Sequence, residues 1–150
     1  MKQINLWEYL MLDSFGVEML FSKSKTEFIS NLRKNNIPID MPTKMQIVVK
    51  SKLLFLDVNF FISFHFSGER LIAITISPNE VLEGKALYCR YKNIQKALEN
   101  ELGHPHNWLR SIMNLLDSDN RFSYWQKDGM KIEHYLLNRF GMEESINITL

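Results

Sequence analysis

The chain repeats part of its own sequence. The segment FSGERLIAITI, which begins at Phe66, returns without a gap as FGMEESINITL, which begins at Phe140. The identical pairs are Phe66/Phe140, Glu69/Glu143, Ile72/Ile146, Ile74/Ile148 and Thr75/Thr149. Composition alone gives about one match or fewer in so short a stretch. The repeat therefore predicts two copies of one structural unit, in halves of approximately 14–77 and 86–150.

In the first copy, Ser24 and Glu27 have the spacing of a capping box, and apolar residues with helical periodicity follow until Pro38. Three strands are then expected, because apolar and polar residues alternate along each of them. Their ranges are 45–50, 54–66 and 70–76, and a tight turn at 67–69 joins the last two.

The second copy follows the same order. Tyr91, Ile94 and Leu98 share one helix face, and Gly103 followed by Pro105 marks the helix end. Strands are expected at 121–126, 130–140 and 143–150, with Asp128-Gly129 as a hairpin turn.

The sequence thus predicts an α+β fold in a single domain, 1–150. The expected architecture is a pseudo-duplicated helix-plus-three-stranded antiparallel meander, a sheet with the helices packed on one face. A short opening helix that ends near Asp13 and a strand at 17–21 are expected before the first copy.

The two copies run in step except between Pro105 and Arg121, where the second copy is longer. Here the segment NWLRSIMNLLDSDN, residues 107–120, has enough apolar side chains to wrap most of a short helix. It either plugs one end of the core or binds a partner. Aromatic, Arg and Met side chains concentrate at interface centres. The candidate partner-binding residues of this segment are Trp108, Arg110, Met113, Asp117 and Asp119.

Charge and hydropathy argue against several classes of function. The 18 basic and 17 acidic residues nearly cancel, so no net field attracts a nucleic acid or an anionic membrane. No stretch reaches the ~18 apolar residues of a membrane span. The single cysteine, Cys89, cannot form an intrachain disulfide and suits a reducing compartment. We expect a soluble cytoplasmic protein with neither a nucleic acid nor a membrane as its partner.

Two histidines are the most ligand-like residues. His104 and His106 lie two residues apart, so that in an extended segment their imidazoles point to the same side. Further ligands would have to come from His134, Cys89 or the acids near Asp117, and no spacing brings these together. We interpret the two histidines as residues that follow a helix terminus, and the sequence predicts no metal and no cofactor.

Other reactive side chains also have structural interpretations. Cys89 lies among large apolar residues and is expected to be a buried, inert thiol. The carboxylates of Glu143-Glu144, Glu99 and Glu101 are interpreted as solvated charges, the first pair at a hairpin turn and the others on a polar helix face. The aromatic pair Tyr124-Trp125 is interpreted as core or interface packing rather than a stacking platform for nucleic-acid bases.

Two segments of the C-terminal half carry a resemblance to a known class of protein. YKNIQKALENELGHP and FSYWQKDGMKIEHYLLNRFGMEESINITL resemble small bacterial immunity proteins that accompany polymorphic toxins. In wider outline, the duplicated unit is similar to the tandem helix-and-sheet repeat of the beta-lactamase-inhibitory-protein type. Both resemblances imply the same activity, which is to bind and block another protein.

The leading hypothesis is therefore a non-enzymatic cytoplasmic protein with a protein partner, an immunity protein that neutralises a cognate toxin by occluding it. One alternative is a subunit that associates with itself through an exposed sheet edge. Another is an enzyme of unfamiliar type, with a pocket lined by His104, His106 and His134.

Overall fold

The structure, a computed structural model, describes residues 24–53, 56–107, 120–127, 129–138 and 141–150. The opening helix near Asp13 and the strand expected at 17–21 lie outside the described residues. The chain divides into two compact units. The N-terminal unit ends at Asn79, and the C-terminal unit begins at Glu80 and ends at Leu150.

In the part of the chain that the structure describes, the N-terminal unit has one helix followed by four antiparallel strands. They are α1 (Lys25–Lys34), β1 (Asp40–Thr43), β2 (Gln46–Leu53), β3 (Leu56–Ser67) and β4 (Arg70–Pro78). Strands that follow each other in the chain pair with each other. The predicted three strands are present as β2, β3 and β4, but the prediction of only three was wrong. Strand β1 was missed because its four residues are all exposed and include Pro42, so no alternation marks it.

Helix α1 begins where the sequence predicts it. The Ser24 hydroxyl accepts a hydrogen bond from the Glu27 backbone N–H at 3.3 Å, as an N-cap should. The β3–β4 turn adds a second cap, since the Glu69 carboxylate accepts from the Thr26 backbone N–H at 2.9 Å. This hydrogen bond lowers the pKa of Glu69. Gly68 has a φ of 61° and allows the tight turn that brings Glu69 to the helix.

The core of the N-terminal unit is apolar. Phe28 and Leu32 are the buried residues of α1. The Phe28 ring lies 4.8 Å from the Phe64 ring and 5.9 Å from the Phe66 ring, both on β3. Period-2 alternation on β3 therefore directs one row of side chains toward the helix.

The C-terminal unit has helix α2 followed by three antiparallel strands in its described part. They are α2 (Gly84–Leu102), β5 (Arg121–Lys127), β6 (Met130–Asn138) and β7 (Met142–Thr149). Strand β6 pairs with both β5 and β7. Helix α2 buries Leu87, Tyr91, Ile94 and Leu98, as the stripe predicts, and Gly103 ends it with a φ of 80°.

Both units combine a helix with antiparallel strands, which confirms the predicted α+β class with an antiparallel sheet. The descent of the two units from one duplicated sequence stays a prediction. In the described ranges, no helix combines the length and the hydropathy that crossing a membrane requires.

Candidate functional site

The segment that the sequence marks as the contact surface lies outside the described residues, apart from its two ends. Trp108, Arg110, Met113, Asp117 and Asp119 all fall within the range that the structure does not describe. Their environment stays a prediction.

Both ends of this segment are bonded to the strands of the C-terminal unit. At the first end, the Asn107 side-chain amide donates to the Phe122 carbonyl at 2.9 Å and accepts from the Tyr124 N–H at 3.0 Å. At the other end, the Asn120 side-chain oxygen accepts from the Asn138 backbone N–H at 2.9 Å. Two asparagine side chains therefore anchor segment 107–120 to β5 and to the end of β6.

His106 extends this anchor along the outer edge of β5. Its backbone N–H donates to the Tyr124 carbonyl at 2.8 Å, and its Nδ1 accepts from the Gln126 N–H at 3.3 Å. The imidazole also stacks on the Tyr124 ring, with centroids 5.7 Å apart. Together with Asn107, His106 occupies the backbone groups of β5 from Phe122 to Gln126, so a further strand cannot pair there.

A cluster of polar side chains is buried between α2 and strands β5, β6 and β7. We call it the polar cluster, and its members are Arg90, Tyr91, Gln95, Ser123, His134 and Glu144. Ser123 and His134 have no exposed surface, and Glu144 is 8% exposed. Charged and polar side chains are rarely buried to this extent unless they are paired.

Arg90 and Glu144 form the ion pair of the polar cluster. Arg90 Nε donates to Glu144 Oε2 at 2.8 Å, and the side chains are 11% and 2% exposed. A second guanidinium N–H donates to the Glu80 carbonyl at 2.6 Å, which orients Arg90. The pair compensates the charge of a carboxylate that is almost completely removed from water.

Gln95 determines which nitrogen of His134 carries the proton. Its amide nitrogen donates to the Glu99 carboxylate at 2.8 Å and to the Ser123 hydroxyl at 3.0 Å. The amide oxygen therefore faces His134 Nδ1, at 2.7 Å. Since a carboxylate and an amide oxygen only accept hydrogen bonds, His134 Nδ1 must be the protonated nitrogen.

The other ring nitrogen faces the carboxylate. His134 Nε2 lies 3.7 Å from Glu144 Oε1, which is longer than a hydrogen bond. Within the described part of the chain, neither atom has a hydrogen-bond partner. Burial lowers the pKa of His134, and the Glu144 carboxylate opposes this shift without cancelling it.

Tyr91 closes the polar cluster on the helix side. Its ring stacks on His134 with centroids 4.2 Å apart and an interplanar angle of 13°. Burial raises the pKa of the Tyr91 hydroxyl, while Arg121 and a hydrogen bond to Ser123 oppose the shift. Tyr91 therefore stays protonated and neutral at physiological pH.

Two of the sequence interpretations are corrected by these positions. Glu144 is not a solvated charge at a turn, because it lies within β7 and is buried against Arg90. Cys89 is exposed rather than buried. It lies two residues from both Leu87 and Tyr91, which places it about 200° around the helix from the buried face.

The remaining candidates are arranged as follows. His104 and His106 are exposed after the end of α2, as interpreted, whereas His134 is buried. Among the described residues, no three His, Cys, Asp or Glu side chains converge to hold a metal ion. Glu99 and Glu101 are half-buried rather than fully solvated. Trp125 is a core residue, as interpreted, and its indole N–H donates to the Gly103 carbonyl at 2.8 Å.

Sequence reasoning did not find the polar cluster, although a signal was present. On β6, His134 shares one face with the buried Met130, Ile132 and Leu136. A polar residue at an apolar position of an alternating strand marks a buried polar group that needs partners.

Comparisons of this chain with protein-family models, with curated proteins and with solved structures find no match.

Proposed function

We propose that this protein is a non-enzymatic, cytoplasmic protein-binding module of the immunity type, which neutralises a cognate toxin by occluding it. The observation that carries the proposal is the double anchor of segment 107–120, through Asn107 at one end and Asn120 at the other. Binding residues are disproportionately found on loops that a rigid scaffold holds in place.

The residue types in this segment support a protein partner. Trp108, Arg110 and Met113 belong to the types that are enriched at interface centres. Asp117 and Asp119 supply polar contacts at the rim, where charged residues are common.

Two observations favour this function over an enzyme that uses the three histidines. His134 is fully buried under Tyr91, whereas His104 and His106 are exposed. The side chains of His134 and Glu144 are also buried, and one atom of each is bonded within the polar cluster, Glu144 Oε2 to Arg90 and His134 Nδ1 to Gln95.

The anchor at Asn107 opposes self-association through the β5 edge of the sheet. His106 and Asn107 occupy the backbone groups of β5 from Phe122 to Gln126. Strand addition at this edge would first require these hydrogen bonds to break.

We also propose that the two units arose by duplication of a helix-plus-meander sequence. The repeated segment falls on the last strand of each unit, where Ile74 and Ile148 are both buried. Phe28 and Leu32 of α1 precede the buried Ile94 and Leu98 of α2 by the same spacing in sequence.

The first test is the gene neighbourhood: a toxin-like reading frame directly upstream supports the proposal, and a metabolic operon contradicts it. A catalytically inactive form of the product of that reading frame then serves as the bait for purification. We expect the wild-type chain to co-purify with it, and the double variant Trp108→Ala, Arg110→Glu to bind at least about tenfold more weakly. If both side chains bind the partner rather than fill the core, the thermal unfolding curve should stay nearly unchanged.

Two further variants serve as controls. Met45→Ser changes a residue of the N-terminal unit that is 56% exposed, and we expect it to bind normally. Asn107→Ala keeps all five contact residues but releases one anchor, so an intermediate affinity is expected. A loss of binding that always accompanies unfolding, or an equal loss in Met45→Ser, would contradict the interface assignment. A stable dimer by light scattering or stoichiometric zinc, without bait binding, would favour the two alternatives.

A further inference from the structure

The polar cluster contains two buried acceptors that face each other with no donor between them. Because Nδ1 of His134 carries the proton, Nε2 presents a lone pair to Glu144 Oε1 at 3.7 Å. Neither of these two atoms has a hydrogen-bond partner in the described part of the chain. A buried acceptor without a donor is costly, so this contact does not itself stabilise the closed arrangement, and it leaves Nε2 open to a proton.

We propose that His134 and Glu144, through their contacts with Gln95, Tyr91 and Arg90, form an acid-sensitive latch that holds α2 against β6 and β7. The latch is closed while His134 is neutral, and it opens when a proton binds at Nε2. The latch is built from residues of the polar cluster and uses none of segment 107–120, so it does not depend on the proposed function.

The hydrogen bonds of Gln95 determine where His134 can bind a further proton. Gln95 accepts from Nδ1, and its own amide nitrogen is held by Glu99 and Ser123. The Gln95 amide therefore cannot rotate without placing a donor opposite a donor. Nε2 is the only position on this ring that can take up a further proton.

Protonation of His134 changes the charge balance of the polar cluster. Helix α2 contributes Arg90, Tyr91, Gln95 and Glu99, strand β5 contributes Ser123 and Arg121, and strand β7 contributes Glu144. With His134 neutral, Arg90 and Arg121 balance the carboxylates of Glu144 and Glu99. A proton on His134 adds a positive charge that no further carboxylate of the polar cluster balances.

The burial of His134 determines whether acid opens or closes the latch. His134 has no exposed surface, so its charged form loses its hydration and the folded state resists protonation. The burial that lowers the pKa of His134 outweighs the attraction of Glu144. When the pH falls below the pKa of an unfolded histidine, about 6.5, the open state binds a proton that the closed state does not bind. Acid therefore favours the open state.

The middle of α2 is the part of the unit that an open latch releases. Arg90, Tyr91 and Gln95 belong to a little more than one turn of α2, and each contacts a strand residue of the polar cluster. An open latch therefore releases the middle of α2 first, and the ends of the helix are affected less.

The test begins with the wild-type protein. A pH titration of the imidazole nitrogens by NMR should show the Nδ1–H form of His134 at neutral pH. Its titration midpoint should lie below that of the histidines in the urea-denatured chain. A proton on Nε2 at neutral pH, or a midpoint at or above that of the denatured chain, would overturn the latch.

Hydrogen exchange of the α2 amides measures the opening itself. After correction for intrinsic exchange, protection from Tyr91 to Leu98 should fall by up to about tenfold per pH unit below about 6.5. His134→Phe keeps a ring against Tyr91 but cannot be protonated, so its protection should not change with pH over this range. The matched control His104→Gln should keep the wild-type pH dependence.

Glu144→Gln gives an independent reading if the His134 variant does not fold. The new amide can accept from Arg90 and donate to His134 Nε2, so at about pH 8 the α2 amides should keep their protection. Because the attraction of the carboxylate is gone, the loss of protection should continue to a lower pH than in wild type. Protection that is independent of pH in the wild type, or the same acid dependence in His134→Phe, would overturn the proposal.

Discussion

Helices α1 and α2 each pack apolar residues against antiparallel strands, but among the described residues only the α2 contact also includes buried polar side chains. Phe28 of α1 meets the rings of Phe64 and Phe66, whereas Tyr91 of α2 meets a fully buried imidazole, His134. Burial of apolar surface has no direction and does not titrate, while a buried hydrogen-bonded network specifies one arrangement and depends on protonation. The N-terminal contact should therefore respond to lost volume, and the C-terminal contact to lost partners and to pH.

The N-termini of the two helices show the reverse difference. Ser24 and Glu69 both accept hydrogen bonds from the first turn of α1. The N-cap residue of α2, Glu83, makes no side-chain cap, and the first turn of α2 contains no acidic residue. Helix α1 thus begins with two bonded caps, and α2 relies on the contacts along its length.

The largest expected effect is at the apolar contact. Phe28→Ala removes the ring that meets two rings of β3 and should lower the free energy of unfolding of the N-terminal unit by about 3–5 kcal/mol. Urea unfolding followed by circular dichroism measures the loss. Lys34→Ala, an exposed change on the same helix, should stay within about 0.5 kcal/mol of wild type. Equal effects in the two variants would mean that the contact of Phe28 with β3 contributes no more than an exposed side chain of the same helix.

Arg90→Met tests whether the C-terminal contact depends on partners. It leaves the buried Glu144 carboxylate unpaired and should cost about 3 kcal/mol at neutral pH. The double variant Arg90→Met, Glu144→Gln removes the unpaired charge and should recover part of that loss. Chemical unfolding of the wild type, Arg90→Met and the double variant measures these differences in the free energy of unfolding. A double variant less stable than Arg90→Met would mean that the carboxylate is not the source of the cost.

The contact between α2 and its strands should also respond to alkaline pH, because Tyr91 of α2 is buried against His134. Burial raises the pKa of Tyr91 above its ordinary value of 10.0. Above about pH 10 the unfolded state therefore loses a proton that the folded state retains, and stability falls by up to about 1.4 kcal/mol per pH unit. Tyr91→Phe should remove this contribution, which unfolding curves at a series of alkaline pH values measure. An alkaline loss of stability that is unchanged in Tyr91→Phe would exclude Tyr91 as its source.

The smallest effects are expected at the helix termini. Ser24→Ala removes a bonded cap of α1 and should cost about 1 kcal/mol. Glu83→Ser adds a capping hydroxyl where α2 has none, so we expect a gain of about 0.5 kcal/mol. Thermal unfolding of the two variants shows whether each substitution raises or lowers the stability. A loss in both variants would mean that the α2 terminus already has another cap.

The same contrast explains which parts of the structure could be predicted. The apolar face of α1 and the alternation on β3 are regular, and their contact follows from periodicity. Glu144 was misread because a glutamate near a turn is usually solvated, and only its pairing with Arg90 compensates its burial. Cys89 was misread because its large neighbours in sequence lie on a different face of the helix.

The local sequence alone determined the start of α1, the end of α2, the six strands β2 to β7 and the α+β class. It could do so because caps, turn residues and periodicity act over a few residues. The tertiary structure decided which polar side chains are buried. Arg90 and Glu144 are 54 residues apart in the chain, and Gln95 and His134 are 39 apart. Such groups either keep their hydrogen bonds to water or exchange them for hydrogen bonds to each other. Which of the two occurs depends on contacts that only the folded unit creates.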